Sequence, residues 1–276
     1  MVLYNILKQP LIDHVMKLFN IWRHNPENLG DTASSPFRYI FNNHSVKYLD
    51  YGDAIRLPEG EEPVVVGGSG LIHGQLWFDV LKRLASHKRK KILWGIGHNV
   101  HDHDSKASIR YPDWILQYDL IGLRDWLAIE ERPSQYYWVP DASCLHHAFA
   151  IERKAHHDIV VYEHLHHPLE LNIPLPRKFT NTTSVEEALD FISSGRLVLT
   201  NTYHGAYWAT LLNRPCIILR PFSSKFYKLK WPQPIAYDIN DWRRLTAEIR
   251  TYPNSLDEAI DATMSFALEV QKLIER

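Results

Sequence analysis

At 276 residues, with 45% hydrophobic and 23% charged side chains, the chain has the apolar content of a globular protein and the length for two domains. A formal net charge of −1 excludes a global field that would recruit nucleic acid or an anionic membrane. Only two cysteines occur, Cys144 and Cys216, far apart; they exclude a disulfide scaffold and point to a reducing compartment. No apolar run approaches the about 20 residues of a bilayer span. The N-terminus lacks the basic-then-apolar pattern of a signal peptide, so a cytoplasmic protein is expected.

Residues 1–15 have amphipathic helical spacing, and 17–22 read as the first inner strand. The polar loop 23–31, with Pro26 and Gly30, leads to a helix expected over 32–42, then a short strand at 46–49. Pro63-Val64-Val65-Val66-Gly67 predicts a strand buried on both faces, because valine runs without alternation suit a parallel sheet. A helix over 76–88 and strands at 91–95, 120–123 and 137–139 complete the first half. Strands alternating with helices indicate parallel βαβ units.

Residues 142–157 lack periodicity and read as a linker, which divides the chain into a domain over 1–145, expected on the acceptor side, and one over 155–276, expected on the donor side with His204. Strands at 159–162 and 178–181, a helix at 185–193 and a strand at 197–200 open the second series. The polar turn Thr200-Asn201-Thr202 follows, then an alanine-rich helix beginning near His204 and a strand at 216–219. Leu256, Ile260, Met264, Leu268 and Leu273 have the spacing of a closing helix. The expected fold is α/β, two Rossmann-like halves facing a cleft, an architecture of glycosyltransferase-B type.

The chemistry concentrates at the expected strand ends. His204 falls in the first turn of a helix above a parallel strand, where open α/β sheets bind ligands and free N–H groups favour anions. Asn28-Leu29-Gly30-Asp31 lies between the first strand and helix. Asp31 there is either a helix N-cap or a cleft carboxylate acting as general base. Gly67-Gly68-Ser69-Gly70 joins a strand to a helix; its amides form either an anion nest or a tight turn. Arg124, emerging from Ile121-Gly122-Leu123, pairs with Asp125 or offers its planar fork to a carboxylate or phosphate. Lys225 is a further candidate phosphate contact.

His98, His101 and His103 with Asp102 and Asp104 suggest a metal, but no second cluster of matching type accompanies them, and no metal is assigned. Of this group His98 is expected to reach the cleft. Trp22, Trp77, Trp94, Trp208 and Trp231 read as core residues, with one or two available to stack on sugar rings.

The segment around His204 resembles the C-terminal signature of the polysaccharide pyruvyl transferases. Asn28-Leu29-Gly30-Asp31, Gly67-Gly68-Ser69-Gly70, Trp94-Gly95-Ile96-Gly97, Gly122-Leu123-Arg124-Asp125 and Pro140-Asp141 follow in that family's order, over roughly 19–226. The resemblance implies the same two-domain fold and ketal pyruvyl transfer from phosphoenolpyruvate to a sugar of a cell-surface polysaccharide or its lipid-linked precursor. It implies that Arg124 and His204 bind phosphoenolpyruvate. The reaction also needs a proton donor and a base, and the candidate catalytic residues for those roles are His204 and Asp31. Asn28, Gly68, Ser69, His98 and Lys225 join them as substrate-binding candidates. No cofactor is implied, since phosphoenolpyruvate is the donor substrate, and a lipid-linked acceptor implies peripheral membrane contact. In two places the chain departs from the family. Residues 1–15 precede the usual strand start and suggest a helical extension for homo-oligomerisation. Thr202-Tyr203 stands where many relatives have an Arg before the His.

Two other readings compete. A glycosyltransferase of the same fold using a nucleotide sugar would usually place acidic residues on the helix after His204, and none is there. A degenerate, glycan-binding subunit would have a broken donor site, whereas Arg124 and His204 are both present.

Overall fold

The computed structural model describes residues 17–41, 45–50, 60–72, 75–101, 110–131 and 134–276. The helix expected over 1–15, and Asp102, His103 and Asp104, lie outside the described residues.

The first sheet contains β1 (Lys17–Ile21), β2 (Ser45–Leu49), β3 (Val64–Gly67), β4 (Lys91–Ile96), β5 (Leu120–Leu123) and β6 (Tyr137–Trp138). All pairings are parallel, in the order β2-β1-β3-β4-β5-β6. The second contains β7 (His157–Glu163), β8 (Arg177–Phe179), β9 (Gly195–Thr200), β10 (Cys216–Leu219) and β11 (Ile235–Ala236), again parallel, in the order β11-β10-β9-β7-β8. Each strand order therefore reverses next to its first strand, between β1 and β3 and between β7 and β9. A reversal opens a crevice beyond the carboxyl ends of the strands, the ligand site of open α/β sheets.

The strands match the apolar runs because burial on both faces leaves no polar side to read. The first helix differs from its expected span. Helix α1 covers only Leu29–Ala33, and Pro36 opens a separate 3₁₀ turn, Pro36–Arg38, because the residue before a proline avoids helical dihedrals. Helix α2 (Gln75–Ala85) covers the first sheet, and α3 (Trp126–Glu131) leads to β6. The aperiodic stretch after β6 is packed rather than exposed. It forms the 3₁₀ turns Ala142–Leu145 and His147–Ala150 and buries Leu145, Ala148 and Phe149.

In the second sheet, α4 (Val185–Ser194) is capped by the Ser184 hydroxyl, which accepts Glu187 N–H at 3.1 Å. Helix α5 (Tyr203–Leu211) is buried along its whole length, while α6 (Trp242–Leu245) is a single turn. Helix α7 (Ser255–Ile274) returns to the first sheet. Its Phe266 ring meets Trp94 edge-on with centroids 5.0 Å apart, and the Leu273 carbonyl accepts from Lys90 Nζ at 2.8 Å. One apolar core thus runs from Leu18 and Trp94 of the first sheet to Val160, Val198 and Trp208 of the second. Cys144 and Cys216 are both buried and free. Among the described residues no helix is long and apolar enough to cross a membrane.

Truncating a buried aromatic at this junction removes its contacts and leaves a cavity. Phe266→Ala should lower the unfolding free energy by about 3–5 kcal/mol in urea titration.

Candidate active site

The two crevices face each other across a cleft of about 170 Å³. Of the residues singled out from sequence, Asn28, Asp31, Ser69, Arg124, His204 and Lys225 line it, and Gly68 and His98 do not. Arg124 (4% exposed) and His204 (6% exposed) are both buried in its lining.

His204 is held by a buried acid that sequence reasoning quoted but gave no role. Thr202 caps α5, its hydroxyl accepting Gly205 N–H at 2.8 Å, and this places His204 in the first turn. His204 Nε2 lies 3.2 Å from Asp141 Oδ2. A carboxylate can only accept, so Nε2 carries the proton and Nδ1 is the ring's exchangeable site. Among the described residues Nδ1 has no hydrogen-bond partner. Burial alone would raise the Asp141 carboxyl. The His204 charge opposes it, and hydrogen bonds from His204, Ser143 and Ser34 help hold the group well below the usual carboxylate range. Ser34 Oγ reaches Asp141 Oδ2 at 2.6 Å, and Ser143 N–H donates to Oδ1 at 3.0 Å. An imidazole backed by a fixed carboxylate is oriented for proton transfer. Pro140-Asp141, just beyond β6, is the sequence signal for this partner.

Gly30 makes the arrangement possible. A Cβ at Gly30 would fall 1.9 Å from His204 Nδ1, so α1 can approach the ring only with glycine here. Asp31 does not cap α1; Asn28 holds the N-cap position, without a side-chain cap bond. The Asp31 carboxylate instead accepts Ser69 Oγ at 2.5 Å and faces Arg23 Nε at 3.4 Å. Gly68 has φ +72°, and a Cβ there would strike Ser34 at 2.3 Å. Its N–H donates to the Trp94 carbonyl at 2.9 Å, so it forms a tight turn and supplies no amide to an anion nest.

Arg124 is not paired with its neighbour. The Asp125 carboxylate accepts His98 N–H at 2.9 Å, faces His98 Nδ1 at 2.9 Å and accepts the Tyr111 hydroxyl at 2.8 Å. Burial would raise Asp125, yet His98 and Arg124 bring it below its ordinary value. His98, expected to reach the cleft, is instead fully buried behind it as the partner of Asp125. Among the described residues Arg124 forms no ion pair within 4.0 Å, and its Nε is buried without a partner. Its guanidinium stacks on Tyr203 at 4.0 Å. A permanently charged, buried guanidinium without a carboxylate calls for an external anion.

Lys225, half-buried over Phe222 at 5.0 Å, adds a cation whose charge is adjustable. Burial, reinforced by Arg124 and Arg23 and opposed by Asp31, brings its ammonium down to about 8. His101, His164, His166 and His167 complete the rim. Among the described residues, His146, His147 and Glu186 alone have the spacing of a metal site. His146 Nδ1 accepts Ala148 N–H at 3.2 Å, which leaves the proton on the Nε2 that faces Glu186. That tautomer suits a hydrogen bond to the carboxylate and opposes metal ligation.

Two parallel α/β domains around a cleft lined by a buried guanidinium and an oriented imidazole define a two-domain protein of glycosyltransferase-B-like fold. A solved structure from Listeria monocytogenes described as a UDP-N-acetylglucosamine 2-epimerase shares that fold, with 10% identity, 91% of this chain and 90% of that one covered, and TM-score 0.51. An uncharacterized Klebsiella pneumoniae protein is 14% identical over 80% of this chain and 86% of its own, with TM-score 0.47. An α-glucosyltransferase in complex with UDP and DNA is 12% identical over 95% and 99%, with TM-score 0.44. No curated protein matches the chain in sequence. The sequence model of the polysaccharide pyruvyl transferases matches residues 13–223, and the chain belongs to that family. It is a transferase, and its family implies a pyruvyl donor and a polysaccharide acceptor.

Gly30→Ala drives a methyl group into the His204 ring. Activity should fall by about 100-fold through displacement of the imidazole, while circular dichroism shows a retained fold.

Proposed function

We propose that the protein transfers the pyruvyl group of phosphoenolpyruvate to two hydroxyls of one sugar, forming a cyclic ketal on a cell-surface polysaccharide or its lipid-linked precursor. The observation that carries this reading is the buried, unpaired Arg124 guanidinium sharing an enclosed cleft with a carboxylate-backed imidazole. A small donor with a carboxylate, a phosphate and a basic enol carbon matches those groups.

The guanidinium fork takes the donor carboxylate, and Lys225 takes the phosphate. His204, protonated at Nδ1, delivers that proton to the enol methylene, which becomes a methyl group and leaves the central carbon electrophilic. Asp31 removes the proton of the first sugar hydroxyl as its oxygen bonds to that carbon. The carbon–oxygen bond to phosphate then breaks, the departing phosphate taking the proton held by Asp31. A second hydroxyl closes the ketal, its proton returning to the Nδ1 that gave one up. One phosphate and one cyclic ketal result, and the donor itself supplies the transferred carbons, so no cofactor takes part. A cytoplasmic location follows from the donor's metabolism, and a lipid-linked acceptor brings the protein against a membrane surface.

Calorimetric titration with phosphoenolpyruvate and, separately, with nucleotide sugars tests the reading. Phosphoenolpyruvate should bind, with Arg124→Ala weakening it about 100-fold; binding of a nucleotide sugar alone would overturn the proposal. The pH dependence follows from Lys225, whose lowered ammonium is charged below about 8 and neutral above it. Affinity for phosphoenolpyruvate should fall about tenfold between pH 7 and 9, and Lys225→Gln should bind weakly at both.

A further inference from the structure

The donor site leaves a braced, histidine-rich turn at the cleft mouth without a role. His164 directly follows β7, and His167 N–H closes back on the His164 carbonyl at 3.1 Å. Asn201, from the turn after β9, clamps both ends: its Oδ1 accepts His164 N–H at 2.9 Å and its Nδ2 donates to the His167 carbonyl at 2.6 Å. One amide side chain thus fixes two backbone groups of a surface turn, and the rings it presents are pre-positioned. Phe222 stands against them, 4.6 Å from the His167 ring, 5.4 Å from His164 and 5.7 Å from His101. Across the mouth, Glu27 of the first domain reaches His166 Nε2 at 3.0 Å.

The wall is aromatic, and the Lys225 ammonium lies over its Phe222 ring at 5.0 Å. Burial, with Lys225, His167 and His166 adding to it, brings His164 down to about 4, and His101 is lowered in the same way. His166 N–H donates to His164 Nδ1 at 3.2 Å, so His164 offers Nε2–H as a donor. The neutral imidazoles of His164 and His101 each carry one donor and one acceptor on an apolar ring, and a pyranose presents C–H faces edged with hydroxyls. Depth separates the two substrates: Arg124 and His204 are buried, whereas His166 and His167 are exposed at the mouth.

We infer that the 164–167 turn and Phe222 form the acceptor subsite, and that it takes a neutral hexopyranose stacked on the His167 ring. The inference rests on the pyruvyl-transfer reading for the word acceptor and deepens it by naming the subsite and the sugar class. Glu27, exposed beside His166, disfavours a sugar carboxylate at that edge of the turn.

Saturation-transfer NMR with methyl β-D-galactopyranoside, methyl β-D-glucopyranoside and methyl α-D-mannopyranoside, each with phosphoenolpyruvate present, tests it. At least one glycoside should give a signal with the wild-type protein, and His167→Ala should weaken its binding about tenfold. His167→Phe, which keeps a ring, should restore most of it. Calorimetry on the same variants should show phosphoenolpyruvate affinity unchanged, because His167 is exposed and outside the donor site. Absence of signal from all three glycosides, or undiminished binding by His167→Ala, overturns the inference. A wild-type protein that binds a glycoside but not phosphoenolpyruvate would instead sink the donor reading and leave the sugar subsite standing.

Discussion

The site depends on a charge kept apart from its neighbour. Arg124 and Asp125 are adjacent in sequence, and a direct ion pair would quench both in the protein interior. His98 and Tyr111 occupy the Asp125 carboxylate instead, so the guanidinium leans on Tyr203 with its charge uncompensated at short range. Holding that charge in a buried place costs stability that the family fold must offset elsewhere. Trp94, Phe266 and the core joining both sheets are the visible compensation. In the proposed reaction the anionic donor brings the missing counter-charge to Arg124.

The geometry also separates roles by domain. The first domain contributes Asp31, Arg124 and Asp141, and the second contributes His204, Lys225 and the histidine turn. Proton transfer through His204 therefore needs both domains, because its orienting acid comes from the end of the first sheet. Helix α7 packs on both halves, with its Phe266 against Trp94 and its Leu273 carbonyl accepting from Lys90 of the first.

Much of this was legible in the residues. Valine and isoleucine runs without alternation identified β3, β4, β9 and β10, since two-sided burial leaves no other composition. The position of His204 followed from a strand, a polar turn and an alanine-rich helix in succession. The length of α1 was misread because Pro36 ends helical dihedrals that the preceding residues would otherwise continue. His98 was misassigned because a histidine after a Gly-Ile-Gly turn looks the same whether it faces ligand or a buried carboxylate. Which partner Asp125 takes is a long-range fact, set by the packing of β4 against β5, and no local spacing reports it. The bracing of the 164–167 turn by Asn201 is likewise a contact between adjacent strands distant in sequence.

A crystal structure with phosphoenolpyruvate bound tests the central claim most directly. The account predicts the donor carboxylate within hydrogen-bonding distance of the Arg124 guanidinium, the phosphate beside Lys225, and the methylene carbon facing His204 Nδ1. A donor seated away from Arg124, or an Arg124 side chain that swings onto Asp125 when the ligand is present, would contradict it.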